Sequence, residues 1–291
     1  MSVAVPEAAH ALLDRHFGAG WRSAPMMQVE GTANFVCRLR IGGEAFALRV
    51  RRIADDIARV DRVSEVAAQH AAAAAGLAPG IVASDEGAGV LVTRWVDGAV
   101  WSHDRAREDE AIVAIAACLR RLHALLLPAG VRLVRVGEVI EDYASQLAGM
   151  GGDAADACRT LRPVADARVA SVGEPGPVLC HNDVHHRNVV QGGHFGRSNL
   201  CLLDWEYSGR GPAAFDLAGY ASYHDLDARA VSLLLDSYAG QVTPATFGDW
   251  RWLFDYVRAL WGTVTASAGA VGVAGGVGDP APVLRRLLSA H

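Results

Sequence analysis

The segment Leu179-Cys180-His181-Asn182-Asp183-Val184-His185-His186-Arg187-Asn188-Val189-Val190 sets a dense polar loop between two short apolar runs. A third run, Leu202-Leu203, leads straight into Asp204-Trp205-Glu206-Tyr207. Apolar runs this short, bounded by polar and glycine-containing stretches, suit strands better than helices. The reading is a strand, a polar loop and then a β-hairpin whose turn lies within 192–199. That path brings Asp183, Asn188 and Asp204 towards one place.

The flanking sequence divides sharply in character. Before residue 97 it predicts mostly strands: 26–29, 35–40, 45–50, 81–84 and 90–95, with Gly42-Gly43 as a hairpin signal. One alanine-rich helix interrupts them over 61–75, stopped by Gly76 and Pro79. After Val96-Asp97-Gly98 the periodicity becomes helical. Ile112, Ile115, Ala116, Leu119, Leu122 and Leu126 recur at three- and four-residue steps through a helix expected over 107–127. Residues 138–170 and the tail from 229 also read as helix. The expected fold is α+β and bilobal, with a small β-rich lobe over 1–97 and a larger, mainly helical lobe over 98–291. A chain of 291 residues with 51% hydrophobic residues can bury cores for both.

Composition narrows the chemistry. All 27 basic residues are arginine, so a Schiff-base lysine and a phosphate-loop lysine are both excluded. A formal charge of −5 argues against nucleic acid as a partner. Five cysteines at 37, 118, 158, 180 and 201 form no C-x-x-C pair, which suits a reduced, cytoplasmic protein. The opening residues lack the basic start and apolar run of a signal peptide. The uncharged stretch 259–278 is too rich in glycine and alanine for a membrane span and reads as a helix end running into a loop.

A carboxylate to orient and deprotonate a hydroxyl, with an amide oxygen and a second carboxylate for Mg²⁺, is the set that phosphoryl transfer needs. The pattern H-x-D-x-x-x-x-N over 181–188, followed by the Leu-Asp-x-Glu segment, resembles the aminoglycoside phosphotransferase and choline kinase superfamily. The run from Asp204 to Ala218 is most similar to its choline/ethanolamine kinase and bacterial thiamine kinase branch. The resemblance implies a protein-kinase-like fold, ATP and Mg²⁺ as cofactors, and a small-molecule alcohol as acceptor. It implies Asp183 as catalytic residue and Asn188 and Asp204 as metal ligands. It places Arg49 where protein kinases have their third-strand lysine, with Glu65 as its ion-pair partner. Thr32 and Asn34 fall on the turn over the nucleotide phosphates, and Trp95 and Val96 on the adenine-carrying hinge. That turn has a single glycine, Gly31, with Glu30 where the family has its first. Leu119-Arg120-Arg121-Leu122-His123 resembles a family helix end. His181 and Asp216 are implied to shape and brace the loop. Glu206 reads either as a carboxylate around the metal or as a substrate contact.

The acceptor is read from the aromatic stretch 250–261. On a helix, Trp250, Phe254 and Trp261 share one face, and Trp252 and Tyr256 share another. With one face in the core, Trp252, Tyr256 and Asp255 are expected to line a pocket for a cationic alcohol such as choline, ethanolamine or thiamine. An aminoglycoside-type antibiotic is the alternative. Two readings of another class stand beside the kinase: a metal-dependent hydrolase using His181, Asp183, His185 and His186, and a catalytically silent kinase-like binding module. Cys180, beside His181, reads as core filling.

Overall fold

A computed structural model of the chain describes residues 3–29, 34–173, 176–192, 199–240, 242–267 and 280–289. Its first part is an antiparallel sheet of order β1-β2-β3-β5-β4: β1 (Met26–Val29), β2 (Asn34–Ile41), β3 (Glu44–Arg51), β4 (Ile81–Asp85) and β5 (Val90–Arg94). Gly42 and Gly43, at φ 59° and 87°, turn β2 into β3. Two successive left-handed residues match the twist of a two-residue hairpin. The register opposes Cys37 to Leu48 and Leu39 to Phe46, so one face of the hairpin is wholly buried. Helix α1 (His10–Phe17) covers that face with Leu12 and Leu13, a contribution that its short sequence does not announce.

After the four-residue α2 (Asp55–Ala58), α3 (Arg62–Ala74) is capped by the Asp61 side chain, which accepts from the Ser64 amide (3.0 Å). Gly76, at φ 68°, closes it. Its Ala68 and Ala72 pack into the second, larger hydrophobic cluster, so α3 sits where sheet and helices meet.

That larger cluster is built by α4 (Asp109–His123), α5 (Val136–Leu147), α6 (Asp153–Val172), α7 (Ala213–Tyr223), α8 (Ala228–Tyr238), α9 (Pro244–Ser267) and α10 (Pro280–Ser289). The predicted stripe of α4 is fully buried from Ile112 to Leu122, but the helix ends at His123, short of the expected 127, and Leu126 is exposed. The helical stretch expected over 138–170 forms two helices, α5 and α6, broken where Gly151-Gly152 intervenes with Gly152 at φ 107°. Two small antiparallel sheets complete the lobe. β6 (Ala99–Val100) joins β8 (Val189–Gln191) and β9 (Leu200–Leu202), and β7 (Val178–Cys180) pairs with β10 (Gly209–Gly211).

All five cysteines are free and buried, and burial drives the Cys180 thiol well above its ordinary pKa. A thiol so held is inert packing. Among the described residues no helix is long and apolar enough to cross a membrane. The stretch 259–278 continues α9 to Ser267, and the rest of it lies outside the described residues.

Candidate active site

The polar loop leaves β7 at His181 and is braced from beneath. Asp216, buried at the start of α7, accepts from the backbone amides of His181 (2.9 Å) and Asn182 (2.6 Å). His123, at the end of α4, meets the same carboxylate through Nε2 at 3.0 Å and Tyr238 through Nδ1 at 2.8 Å. A carboxylate only accepts, so Nε2 carries the proton and Nδ1 takes the tyrosine hydroxyl. His181 faces the other way. Its Nε2 donates to the Leu203 carbonyl (2.8 Å) and its Nδ1 accepts from the Asp183 amide (3.3 Å). Burial lowers its pKa, so the ring is a neutral pin between loop and hairpin.

Hairpin pairing brings the three expected polar residues together. Val189 opposes Leu202, and the Leu203 amide donates to the Asn188 carbonyl (2.8 Å), which sets Asp204 beside Asn188. Asn188 Nδ2 donates to the Asp183 main-chain oxygen (3.0 Å) and to its Oδ2 (3.1 Å), leaving the amide oxygen turned away. Asp183 Oδ1 accepts from the Tyr223 hydroxyl (2.7 Å). Burial raises the Asp183 pKa, and the Tyr223 bond works against the rise. Asp204 stands at φ 61°, a left-handed conformation that costs a non-glycine residue about 1–3 kcal/mol and recurs at functional sites. Burial, then Glu206, pushes its pKa up to about 7 despite Arg49.

Arg49 ties the two lobes. From β3 its Nη1 donates to Asp204 Oδ1 (2.7 Å) and its Nη2 to Glu65 on α3. Burial opposes its charge, but Glu65, Asp204 and Glu206 outweigh it and hold the guanidinium ionised. Arg62 extends the network, reaching Asp55 (2.7 Å), Glu65 (2.9 Å) and Glu206 (3.2 Å). Glu206 also accepts from Asn34 Nδ2 (3.0 Å). Glu206, read as a carboxylate around the metal or a substrate contact, and Asn34, expected on the phosphate turn, are partners of each other, and Glu206 also borders the cavity. Thr32 lies outside the described residues, as does Glu30. Neither Asn34 nor Arg62 advertises this link in sequence, since their common partner is more than a hundred residues away.

A cavity of about 990 Å³ opens between the lobes. Ala47, Leu91, Thr93, Trp95 and Val96 form an apolar slot on the sheet side, with Arg49, Asn188 and Asp204 at its inner end. Beyond Asp183 the wall is Tyr143, Tyr207, Tyr223, Phe254 and Trp261. Tyr223, which sequence reasoning passed over, meets the cavity because the loop-bracing Asp216 lies in the first turn of α7 and Tyr223 stands two turns further along it.

Three expected acceptor residues do not border this cavity. Tyr256 is buried against α6, donating to the Cys158 carbonyl (2.8 Å), and Trp252 stacks on it (5.3 Å) with Arg168 over its far face. Asp255 is buried and paired with Arg286 of α10 (2.9 Å). The aromatic face turned to the cavity is that of Phe254 and Trp261. The reason is position: α9 runs between α6 and the cavity, so the Trp252–Tyr256 face meets α6.

The hydrolase reading fails on geometry. Among the described residues, the one His/Cys/Asp/Glu group with converging ligand atoms is His123, Cys180 and Asp216, and its His and Asp already engage each other. Burial lowers His185 to about 3 and His186 to about 4, so both rings are neutral, with His185 Nε2 3.5 Å from Asp183.

Over residues 27–253 the chain matches the family model described as phosphotransferase enzyme family. Streptomycin 6-kinase of Streptomyces griseus is 32% identical over 108 residues, which are 36% of this chain and 34% of that protein. The chain thus spans about a third of the length of that curated relative. Among solved structures, a choline/ethanolamine kinase family protein from Mesorhizobium loti superposes with a TM-score of 0.75 at 22% identity, covering 97% of this chain and 93% of that one. A choline kinase from Streptococcus pneumoniae gives 0.75 at 18%, covering 92% and 94%. At these identities the likeness is one of fold.

Proposed function

Because the chain belongs to the phosphotransferase enzyme family, we propose that it transfers the γ-phosphoryl group of ATP to the hydroxyl of a small molecule, with Mg²⁺. The observation that carries this is the convergence of Asp183, Asn188 and Asp204 on one cavity, with Arg49 reaching Asp204 from the opposite lobe. Adenine fits the slot under Trp95 and Val96, and Arg49, held by Glu65, meets the phosphates. Asp183 takes the hydroxyl proton as the alcohol oxygen bonds to phosphorus and the bond to ADP breaks, so atoms and charge balance. Asn188 and Asp204 suit a hard divalent cation. They offer an amide oxygen turned away from its own hydrogen bonds and a carboxyl that is partly open to the cavity. Mg²⁺ held there neutralises charge on the polyphosphate. Its filled polar positions weigh against a silent binding module. The five buried thiols accord with a cytoplasmic setting.

The expected choice of choline, ethanolamine or thiamine drew on Trp252, Tyr256 and Asp255, which lie off the cavity, so the acceptor must be argued from other residues. The test of the kinase itself is nucleotide binding by titration, with ADP release by a coupled assay. Asp204→Ala should abolish productive MgATP binding, while His186→Ala should keep it. Loss of a stoichiometric bound metal on substituting His186, with MgATP binding absent throughout, would return the hydrolase.

A further inference from the structure

Four basic side chains stand on the polar loop 181–188: His181, His185, His186 and Arg187. Burial lowers the pKa of all three histidines, so none of them brings positive charge at neutral pH. Arg187 is the loop's one standing cation. It sits on the short turn His186–Asn188, directly before the buried Asn188, and is exposed at the border of the cavity. The backbone that carries it is fixed. The His185 amide donates to the Asp183 carbonyl (3.1 Å), and the Asn188 amide donates to the His185 carbonyl (2.9 Å). The guanidinium itself has no hydrogen bond or ion pair with another described residue. After burial, its charge is the largest influence on the His185 ring, whose Nε2 lies 3.5 Å from Asp183 Oδ2. The cation therefore stands one side chain away from the base.

Charge around the reacting end of the cavity does not balance. Asp183, Asp204 and Glu206 border it, and Glu65 stands behind them. Two guanidiniums answer these four carboxylates. Arg49 is held by Glu65 and Asp204, and Arg62 by Asp55, Glu65 and Glu206. MgATP would add further negative charge, and transfer spreads charge over the equatorial oxygens of the moving phosphoryl group. In a chain without lysine, arginine is the only permanently charged side chain that can meet it. Other arginines border the cavity, but Arg52 and Arg59 flank α2, Arg132 and Arg135 precede α5, and Arg258 belongs to α9. Arg187 alone lies between Asp183 and Asn188 in the chain.

We propose that Arg187 is a further catalytic residue, whose guanidinium meets the equatorial oxygens of the γ-phosphoryl group as it passes from ATP to the acceptor. The inference rests on the kinase reading of the site. The alcohol oxygen bonds to phosphorus, the bond to ADP breaks, and the proton goes to Asp183. Arg187 donates hydrogen bonds throughout and gives up no proton. A guanidinium can offer two parallel donors to one phosphoryl group, which suits it to this place. Its freedom from partners means that nothing has to be broken for it to turn inward.

The experiment needs no knowledge of the acceptor. MgADP is titrated calorimetrically with and without fluoroaluminate, a flat anionic mimic of the moving phosphoryl group. In the wild type fluoroaluminate should tighten MgADP binding about tenfold or more. Arg187→Ala should bind MgADP nearly as the wild type does, yet lose most of that gain, and Arg187→Lys should keep part of it. Slow MgATP hydrolysis, with water in place of the alcohol, gives a second readout through phosphate release. Arg187→Ala should lower its kcat by a factor on the order of 10² with little change in the KM for MgATP. Guanidinium chloride at a non-denaturing concentration should restore part of the loss in that variant and do nothing for the wild type. Thermal unfolding should be the same for all three proteins, because the side chain is exposed. A fluoroaluminate gain that is equal in Arg187→Ala, or absent from the wild type, would overturn the inference. So would a raised KM for MgATP at unchanged kcat, which would make Arg187 a contact of bound nucleotide alone. Absent MgADP binding by the wild type sinks the kinase reading, whereas normal MgADP binding with an undiminished gain in Arg187→Ala sinks the role of Arg187 alone.

Discussion

Asp183 is gripped by two donors of different kinds, a tyrosine hydroxyl on one oxygen and an asparagine amide on the other. Both favour its ionised form, against the burial that raises its pKa. To accept a proton it must be ionised, so activity falls as pH drops through that pKa. Asp183→Asn should lower kcat by a factor on the order of 10² or more, the scale for a positioned acid–base group, while nucleotide binding persists. Wild-type turnover by that variant in a coupled assay would remove Asp183 from the reaction. Tyr223→Phe makes a subtler change. It deletes a donor that lowers the Asp183 pKa, so the acidic limb of the kcat/KM profile should move to higher pH. A limb that stays put or moves down would mean that Tyr223 merely fills space. The Asp183, Asn188 and Asp204 positions were legible because their spacing is local to one hairpin. Tyr223 was not, since its role depends on where Asp216 anchors α7.

At the scale of elements, strand and helix positions followed from short-range signals. Gly42-Gly43 marks the β2–β3 turn, and Gly76 with Pro79 marks the end of α3. β10 escaped notice because Gly-Arg-Gly carries no apolar alternation. Its glycines instead admit Val134, whose side chain sits where a Cβ on Gly209 would fall (2.4 Å). Helix α9 marks the sharper limit. Periodicity identifies which aromatics share a face, but not which neighbour each face meets. With Trp252 buried against α6, Trp252→Ala should cost about 3–5 kcal/mol of stability, the range for truncating a buried aromatic. Its KM values should barely move. Trp261, half-buried and donating to the Tyr207 hydroxyl (2.8 Å), should show the converse, a raised acceptor KM with smaller loss of stability. Denaturant unfolding beside steady-state kinetics reads both. A selective rise in acceptor KM for the Trp252 variant would restore that face to the site.

For the molecule as a whole, the two lobes meet through charge as well as apolar packing. Arg62 is the centre of that contact, holding Asp55, Glu65 and Glu206 at once while only 8% exposed. A buried ion pair need not stabilise a fold relative to apolar residues of similar size, but removing one partner strands the others. Here the stranded groups would be Glu65 and Glu206, both buried. Arg62→Ala should therefore cost about 3–5 kcal/mol, far more than any exposed pair on this surface. It should also reach the nucleotide. Glu65 orients Arg49, and Glu206 is shared with Asn34 beside the expected phosphate turn. Loosening both should raise the KM for MgATP more than that for the acceptor. Pairing Arg62→Ala with Glu206→Gln in a double-mutant cycle separates the two effects, because Gln keeps the shape and removes the stranded charge. Stability should be partly regained in the double variant. A double variant whose losses simply add would show that Arg62 and Glu206 do not couple, and would leave the Arg49–Asp204 pair as the charged link between the lobes.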